Sequence, residues 1–260
     1  MLQIEDLSLS FGGVQAIDDL RLTVADGTIT ALIGPNGAGK TSVLNVISGF
    51  YRPQQGRVLH DGFDLLTLPP YRVIQRGITR SFQNVALFGG LSVVDNLIVG
   101  FDHRSHAGVL RNLVRTPAVL RHERVARQRA HEVLEFLGIT AIARRRADEL
   151  AFGERKLVDL GRALMPHPGL VLLDEPTAGL FEAQKAWLAR VLSQIPAEFG
   201  AAVLVIDHDM RLALGVSSRV AVMDFGHKIA DATPREVRAD PVVIAAYLGG
   251  GPGGNAAPDQ

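Results

Sequence analysis

Hydrophobic and polar positions roughly alternate in the first part of the chain. Apolar residues recur at about every second position in residues 2–11 and again in residues 20–24. This period of two is typical of strands with one buried face, and the pair Gly12-Gly13 predicts a turn between them. We therefore expect the chain to open with an antiparallel β region.

Later apolar runs show no alternation; they are residues 29–33, 170–173 and 202–206. Continuous runs of this length are typical of strands that are buried on both faces of a parallel sheet. Helices are predicted from Gly39 to Gly49 and from about Glu182 to Ile195. Shorter strands are predicted at residues 58–60, 78–82, 220–223 and 228–231, and a capping box at residues 233–236. The fold class is therefore α/β with a mostly parallel sheet.

Between these α/β segments, residues of about 84–154 have the pattern of helices and loops. Ser92 is a candidate N-cap, and a long amphipathic helix is predicted through Val125, Val133, Leu134 and Leu137. We interpret the chain as a single domain over residues 1–249, with a helical subdomain inserted at about 84–154. The glycine-rich residues 250–260 are expected to form a flexible tail.

Composition narrows the class of protein. The 260 residues carry no net charge and are 47% hydrophobic, which excludes an intrinsically disordered chain. The absence of cysteine excludes disulfide scaffolds and thiolate metal sites. Residues 1–10 lack the pattern of a signal peptide, and the apolar runs are too short to span a membrane. We expect a cytosolic protein unless a partner holds it at a membrane.

Arginines are concentrated between Arg104 and Arg146, where few acidic residues oppose them. Such an excess could contact anionic lipid head groups or nucleic acid. No aromatic residues are interleaved as in a nucleic-acid platform, so we favour a solvated helical surface and expect no nucleic-acid partner.

The segment after the run 29–33 fits the pattern G-x-x-x-x-G-K-[ST]; its residues are Gly34, Pro35, Asn36, Gly37, Ala38, Gly39, Lys40, Thr41 and Ser42. Glycines let consecutive backbone N–H groups face a polyanion, and the following helix adds the positive end of its dipole. Lys40 would reach the outer phosphates and the Thr41 hydroxyl would hold Mg²⁺. The sequence thus predicts a site for a nucleoside triphosphate.

A second constellation follows the run 170–173, where Asp174 and Glu175 come in succession. Both carboxylates would emerge at the carboxyl edge of a parallel sheet, where ligands bind. Asp174 is expected to contribute to the Mg²⁺ shell. Glu175 is expected to act as the base that polarises an attacking water.

With Gln83, the run Leu150-Ala151-Phe152-Gly153-Glu154 and His208, these motifs resemble the ATP-binding subunit of an ABC transporter over residues 1–249. The resemblance implies a role for each matching position. Phe11 would stack on adenine, and Gln83 would approach Mg²⁺ and sense the membrane partner. Ala151, Phe152, Gly153 and Glu154 would clasp the γ-phosphate of nucleotide bound to another subunit, and His208 would orient that phosphate and the water.

The chain departs from the family pattern at three positions. Ala151 replaces a serine, Glu154 replaces a glutamine, and Phe181 stands where an Asp or Asn usually reaches across the dimer. A carboxylate at position 154 is expected to weaken or tune the clasp. Hydrolysis is expected to survive, because its four expected residues are all present: Lys40, Asp174, Glu175 and His208.

Within the family, the chain is similar to the ATPases of branched-chain (hydrophobic) amino acid uptake systems. The features are residues 80–84, 113–117, 150–153, 208–210 and 246–249. The resemblance implies two integral-membrane permease subunits, a second ATPase subunit in a heterodimer or homodimer, and an extracytoplasmic binding protein. It also implies a peripheral location at the cytoplasmic face of the inner membrane.

Other readings stay open at this point. Related importers for urea, short amides or aromatic acids share the same features. A soluble ABC-type ATPase that acts on ribosomes or DNA would usually carry two cassettes or long coiled coils, and neither is visible. A scaffold that binds nucleotide without hydrolysis would not need Glu175.

Overall fold

The computed structural model describes residues 1–81, 85–101 and 117–248. Several sequence predictions concern residues outside these ranges. They are the predictions on Phe82, Gln83 and Asn84, on residues 113–116, on Gly249 and on the tail 250–260.

Within the described ranges the chain forms ten strands and nine α-helices. The strands are β1 (Leu2–Phe11), β2 (Val14–Val24), β3 (Ile29–Ile33), β4 (Gln55–His60), β5 (Phe63–Asp64), β6 (Ile78–Ser81), β7 (Leu170–Asp174), β8 (Ala202–Ile206), β9 (Arg219–Asp224) and β10 (His227–Ala232). The helices are α1 (Lys40–Ile47), α2 (Pro70–Gln75), α3 (Val93–Phe101), α4 (Pro117–Phe136), α5 (Phe152–Leu164), α6 (Glu182–Phe199), α7 (Met210–Val216), α8 (Pro234–Ala239) and α9 (Pro241–Leu248).

The strands form two sheets. An antiparallel sheet has the order β2-β1-β4-β5, which confirms the predicted β region at the start of the chain. The larger sheet has the order β10-β9-β3-β8-β7-β6, and only β10 runs antiparallel to its neighbour. The predicted mostly parallel α/β sheet is therefore confirmed.

Both faces of the larger sheet are buried, as the continuous apolar runs predict. Along β7, Leu170 and Leu172 pack into the core shared with the antiparallel sheet and α1. Val171 and Leu173 pack into a second core on the opposite face, which the helices α3 to α6 cover. The sheet is therefore the middle of three layers, and its strand ends are held rigidly from both sides.

The helix α4 confirms the predicted amphipathic helix, but one residue that was predicted on its apolar face lies on the exposed face. Val133 and Leu134 are buried, whereas Val125 is 50% exposed. Ala126 lies seven residues before Val133, nearly two full turns, and is buried. Val125 lies eight residues before it, which rotates it by about 80° around the helix and into solvent. The prediction that Val125 belongs to the apolar face is therefore wrong.

The helix α6 continues past the predicted end at Ile195, through Pro196 to Phe199. Proline removes one helical hydrogen bond, but the ring of Phe199 packs edge-on against Phe136 with centroids 4.9 Å apart. Tertiary packing therefore outweighs the local signal, and the helix ends at Gly200 in the left-handed conformation.

The predicted caps are present. The Ser92 hydroxyl accepts from the backbone N–H of Asp95 at 3.2 Å, at the start of α3. The Glu236 carboxylate accepts from the backbone N–H of Thr233 at 2.9 Å, which completes the capping box of α8. In the described part of the chain, no helix combines the length and apolar character that crossing a membrane requires.

Candidate nucleotide-binding and hydrolysis site

The loop between β3 and α1 needs glycine at two positions because the backbone passes close to its neighbours. A Cβ at Gly34 would lie 2.0 Å from the carbonyl oxygen of Met223. A Cβ at Gly39 would lie 2.1 Å from that of Ala16. Both glycines also have positive φ angles, so any side chain here would be strained as well as blocked. The predicted glycine-rich turn is therefore shaped by its packing against β9 and β2.

Lys40 is the first residue of α1 and is buried beneath this loop. Its Nζ donates to the carbonyl oxygens of Gly34 at 2.8 Å and Pro35 at 2.7 Å. Burial lowers the pKa of the Lys40 ammonium, and the nearby carboxylates of Glu175 and Asp174 oppose that shift. One cation is thus held between the loop and the acidic edge of the sheet, where it could contact the outer phosphates of a nucleotide.

The other loop residues differ in exposure. Asn36 and Gly37 lie at the exposed tip, and Ala38 is buried. Thr41 is exposed in the first turn of α1, and Ser42 is partly buried beside it. Thr41 is therefore accessible at the end of α1 that follows the loop.

Phe11, the predicted adenine-stacking residue, ends β1 and is 46% exposed. Its ring meets that of Tyr51 edge-on, with centroids 5.1 Å apart. The contact with Tyr51 helps to hold the Phe11 ring in place. The ring stays accessible, as stacking on a base requires. Tyr51 was not identified from the sequence, since only the fold brings the segment after α1 against β1.

Asp174 is the last residue of β7 and is buried. Its Oδ2 accepts from the Arg80 guanidinium at 2.8 Å. Its Oδ1 is buried and has no hydrogen-bond partner in the described part of the chain. A buried carboxylate oxygen without a partner is costly unless something else satisfies it, and oxygen is the ligand that Mg²⁺ prefers.

The described residues contain no cluster of three or more His, Cys, Asp or Glu side chains that could hold a metal by itself. Asp174 Oδ1 and the Thr41 hydroxyl are oxygen donors, the type of ligand that Mg²⁺ takes, and the phosphate oxygens of a nucleotide could supply further ligands.

Glu175 follows Asp174 in a left-handed backbone conformation, with φ of 49°. Its backbone N–H donates to the carbonyl oxygen of Ile206 at 2.8 Å, so the strand pairing with β8 continues through it. The side chain is about a quarter exposed. A positive φ is uncommon for a residue other than glycine, and the pairing with β8 holds Glu175 in it.

His208 lies opposite Glu175 at the end of β8. Its Nδ1 is 3.9 Å from Glu175 Oε2 and 3.7 Å from Asp207 Oδ1. The register that pairs Asp174 with Ile206 explains why the two strand ends meet. Lys40, Asp174, Glu175 and His208 therefore converge at the carboxyl edge of the sheet, as expected.

Two buried residues at this edge were missed by the sequence analysis. Asp207 accepts from the backbone N–H of Thr177 at 2.9 Å and from its hydroxyl at 2.6 Å. Lys156, on α5, donates to the carbonyl oxygens of Glu175 at 2.8 Å and Pro176 at 3.2 Å. Burial lowers the pKa of Lys156, and the carboxylates led by Asp207 oppose it. Both residues hold the loop that follows β7.

Residues 150–154 lead into the first turn of α5, which starts at Phe152. The contacts described for this segment are with residues other than those of the phosphate loop. Ala151 is the N-cap residue, and Phe152 is exposed. A Cβ at Gly153 would lie 2.7 Å from Nε2 of Gln184, so the backbone here packs closely against α6, and a larger residue would displace that flexible side chain. The first backbone N–H groups of a helix have no partners within the helix and can bind an anion.

The Glu154 carboxylate has two partners that the sequence did not predict. Its Oε2 accepts from the backbone N–H of Ala151 at 2.8 Å, and its Oε1 accepts from Arg145 at 3.2 Å. The charge that was expected to face a polyanion is thus partly offset by a guanidinium. Phe181, the third departure, is the N-cap residue of α6 and is 80% exposed.

Comparisons with known proteins identify the family of the chain. The ABC transporter family matches residues 17–178, and the family described as branched-chain amino acid ATP-binding cassette transporter matches residues 227–252. The high-affinity branched-chain amino acid transport ATP-binding protein BraF of Pseudomonas aeruginosa is 37% identical over 249 residues, which cover 96% of this chain and 98% of BraF. LivG of Escherichia coli, described in the same words, is 36% identical with the same coverage.

A solved structure gives the same result for the fold. The ADP conformation of an ATP-binding cassette of an ABC transporter superposes with a TM-score of 0.82 at 31% identity, over 96% of this chain and 98% of the other. The relatives and the solved structure thus cover 96% of the chain, and the ABC transporter family matches more than half of it. The chain belongs to the ABC transporter family, as one of its ATP-hydrolysing nucleotide-binding cassettes.

Proposed function

We propose that this chain is an ATPase subunit of an importer for branched-chain or other hydrophobic amino acids. It works at the cytoplasmic face of the inner membrane, with two permease subunits, a second ATPase subunit and an extracytoplasmic binding protein. The observation that carries the proposal is the convergence of Lys40, Asp174, Glu175 and His208 at one sheet edge, in a chain whose relatives are named for branched-chain amino acid transport.

The residues divide the chemistry of ATP hydrolysis among them. The loop of residues 34–42 and the Lys40 ammonium bind the phosphates, and Phe11 packs against the adenine. Glu175 accepts the proton of the attacking water, and His208 orients that water and the γ-phosphate. Asp174, Thr41 and Gln83 would hold Mg²⁺, which supplies charge stabilisation between the outer phosphates.

The proposed site is completed by a second subunit. The helix start at residues 151–154 presents backbone N–H groups to the γ-phosphate that the other subunit holds. Because one chain carries only half of each site, the isolated chain should hydrolyse ATP slowly and should accelerate when it is assembled with its permease.

Replacing Glu154 with glutamine should raise ATP-driven dimer formation. Glutamine can still accept from the Ala151 N–H through its amide oxygen, so the helix start is kept. Loss of the carboxylate removes repulsion from the γ-phosphate and releases Arg145 to face it. Light scattering with Mg²⁺ and ATP measures the association.

The matched control is Glu135→Gln, which removes the same charge from an exposed position on α4. Equal association of Glu154→Gln and wild type would mean that this carboxylate points away from the bound nucleotide.

An exposed apolar surface follows the segment of Gln83. The buried Asn96 side chain accepts from the backbone N–H of Phe88 at 2.9 Å and donates to its carbonyl oxygen at 3.1 Å. The loop is thereby fixed while Phe88 stays 52% and Leu91 38% exposed. Leu87, in contrast, packs against the core. A rigid loop that presents Phe88 and Leu91 suits an apolar contact with a short helix of the permease.

Replacing Phe88 and Leu91 together with serine should abolish the permease-stimulated part of ATP hydrolysis. The basal rate and the melting temperature should stay near those of wild type, because both side chains are already exposed in the single chain. ATPase assays with and without the permease, together with thermal unfolding, measure these quantities.

Leu120→Ser is a suitable control, because Leu120 is comparably exposed on α4, away from this loop. A large fall in the melting temperature of the double variant would identify Phe88 and Leu91 as core residues and would remove the coupling role.

The cargo is tested with the assembled transporter in proteoliposomes. Binding protein loaded with leucine, isoleucine or valine should stimulate ATP hydrolysis and accumulate the amino acid inside. Stimulation only by urea, a short amide or an aromatic acid would replace the proposed cargo and leave the ATPase assignment in place.

A further inference from the structure

Arg80 connects two parts of the site that the chain keeps far apart in sequence. It lies in β6, and its side chain is only 8% exposed. One terminal nitrogen donates to Asp174 Oδ2 at 2.8 Å. The other donates to Oδ1 of Asn45 at 2.8 Å and lies 3.4 Å from the hydroxyl of Ser48. The guanidinium therefore bridges the end of β7 and the helix α1.

The bridge constrains the orientation of the Asp174 carboxylate. A guanidinium is planar and its donors diverge at fixed angles, so it holds two acceptors in a defined geometry. Arg80 takes one carboxylate oxygen, and the other, Oδ1, stays buried without a hydrogen-bond partner in the described part of the chain. The oxygen that a cation would need is thus left available and held in a single direction.

Charge alone does not explain this arrangement. A guanidinium beside a carboxylate lowers the attraction of that carboxylate for a second cation. The Arg80 contact therefore fixes the orientation of the Asp174 carboxylate but weakens its attraction for a second cation. The same guanidinium also contacts α1, the helix that carries Lys40 and Thr41 in its first turn.

We propose that Arg80 is a positioning residue for the metal–nucleotide site. It aligns Asp174 with α1, so that Asp174 Oδ1 and the Thr41 hydroxyl are presented to one divalent cation bound with ATP. This inference rests on the proposed function of Asp174 and Thr41 as the metal-holding residues.

The test compares ATP affinity in the presence of Mg²⁺ with that in EDTA. Calorimetry is carried out on the full chain in a Glu175→Gln background, so that ATP is not consumed. Arg80→Lys keeps the positive charge, but its single ammonium cannot reproduce the planar bridge. The gain in affinity on adding Mg²⁺ should fall about tenfold or more, while affinity in EDTA changes less than about twofold.

Asn45→Ala removes the other end of the bridge and leaves Arg80 in place. It should lose part of the same Mg²⁺-dependent gain, and the double variant should lose no more than Arg80→Lys alone, since the two residues act through one contact. Asn45→Ala also carries the test if Arg80→Lys does not fold.

Arg129→Lys is the matched control, because the Arg129 guanidinium is also largely buried and donates to the Leu164 carbonyl oxygen on the helical side. It should lower the melting temperature without changing the Mg²⁺-dependent gain.

Two results would overturn the role of Arg80 and leave the metal site in place. One is an unchanged Mg²⁺-dependent gain in both bridge variants. The other is an equal fall in affinity with Mg²⁺ and with EDTA, which would make the ion pair a general support of the sheet. A wild-type chain that binds ATP without any gain from Mg²⁺ would instead remove the metal site itself, and the positioning role with it. The cargo assay above is independent of all three results.

Discussion

Replacing Glu175 with glutamine should leave ATP binding intact and reduce turnover by at least about a hundredfold, the usual effect of losing a general base. The amide keeps the shape of the side chain and its place opposite His208, but it cannot accept the proton of water. The left-handed backbone at Glu175 is held by the β8 pairing and by Lys156, so the loop should not rearrange. ATPase rates and ATP calorimetry measure the two effects separately.

Glu198→Gln is the control for this change, because Glu198 is exposed near the far end of α6. If Glu175→Gln hydrolyses ATP at near the wild-type rate, Glu175 is not the base, and the water must be activated by another group at this edge.

Replacing Lys40 with alanine should weaken ATP binding itself, by roughly tenfold or more, since hydrogen bonds to charged groups are worth about 1.5–3 kcal/mol. The ammonium is buried and is the cation held between the loop and the carboxylates of Asp174 and Glu175. Without it, the phosphates would lose the ammonium that separates their charge from those carboxylates. Calorimetry with ATP and Mg²⁺ measures the change in affinity.

Lys40 also bonds to the carbonyl oxygens of Gly34 and Pro35, so the alanine variant should be checked by thermal unfolding. Lys228→Ala serves as the control, because Lys228 pairs with Asp231 on β10. Unchanged ATP affinity in a folded Lys40→Ala chain would mean that the loop of residues 34–42 has been misread.

Much of the secondary structure could be predicted because its signals are local. A buried parallel strand requires an uninterrupted apolar run, and residues 29–33, 170–173 and 202–206 form such strands with little change in their bounds. N-caps depend on residues a few positions apart, so the first residues of α3 and α8 could be predicted from the sequence. Local signals failed for Val125 and at Pro196, where the phase of a helix and a contact between distant aromatic rings decide the result.

The candidate site divides in the same way. Lys40, Thr41, Asp174 and Glu175 were identified because each follows directly from a strand end and a short motif. Gln83 lies outside the described residues, and its role stays a prediction.

The sequence by itself determined the α/β class, the phosphate loop and the pair of carboxylates, because each depends on neighbours in the chain. Only the tertiary structure decided what holds them: Arg80 against Asp174, Lys156 beneath Glu175, Asp207 on Thr177 and Arg145 on Glu154. These contacts join residues on different elements, and a polar side chain reveals its partner only when packing has brought the two groups together and excluded water from between them.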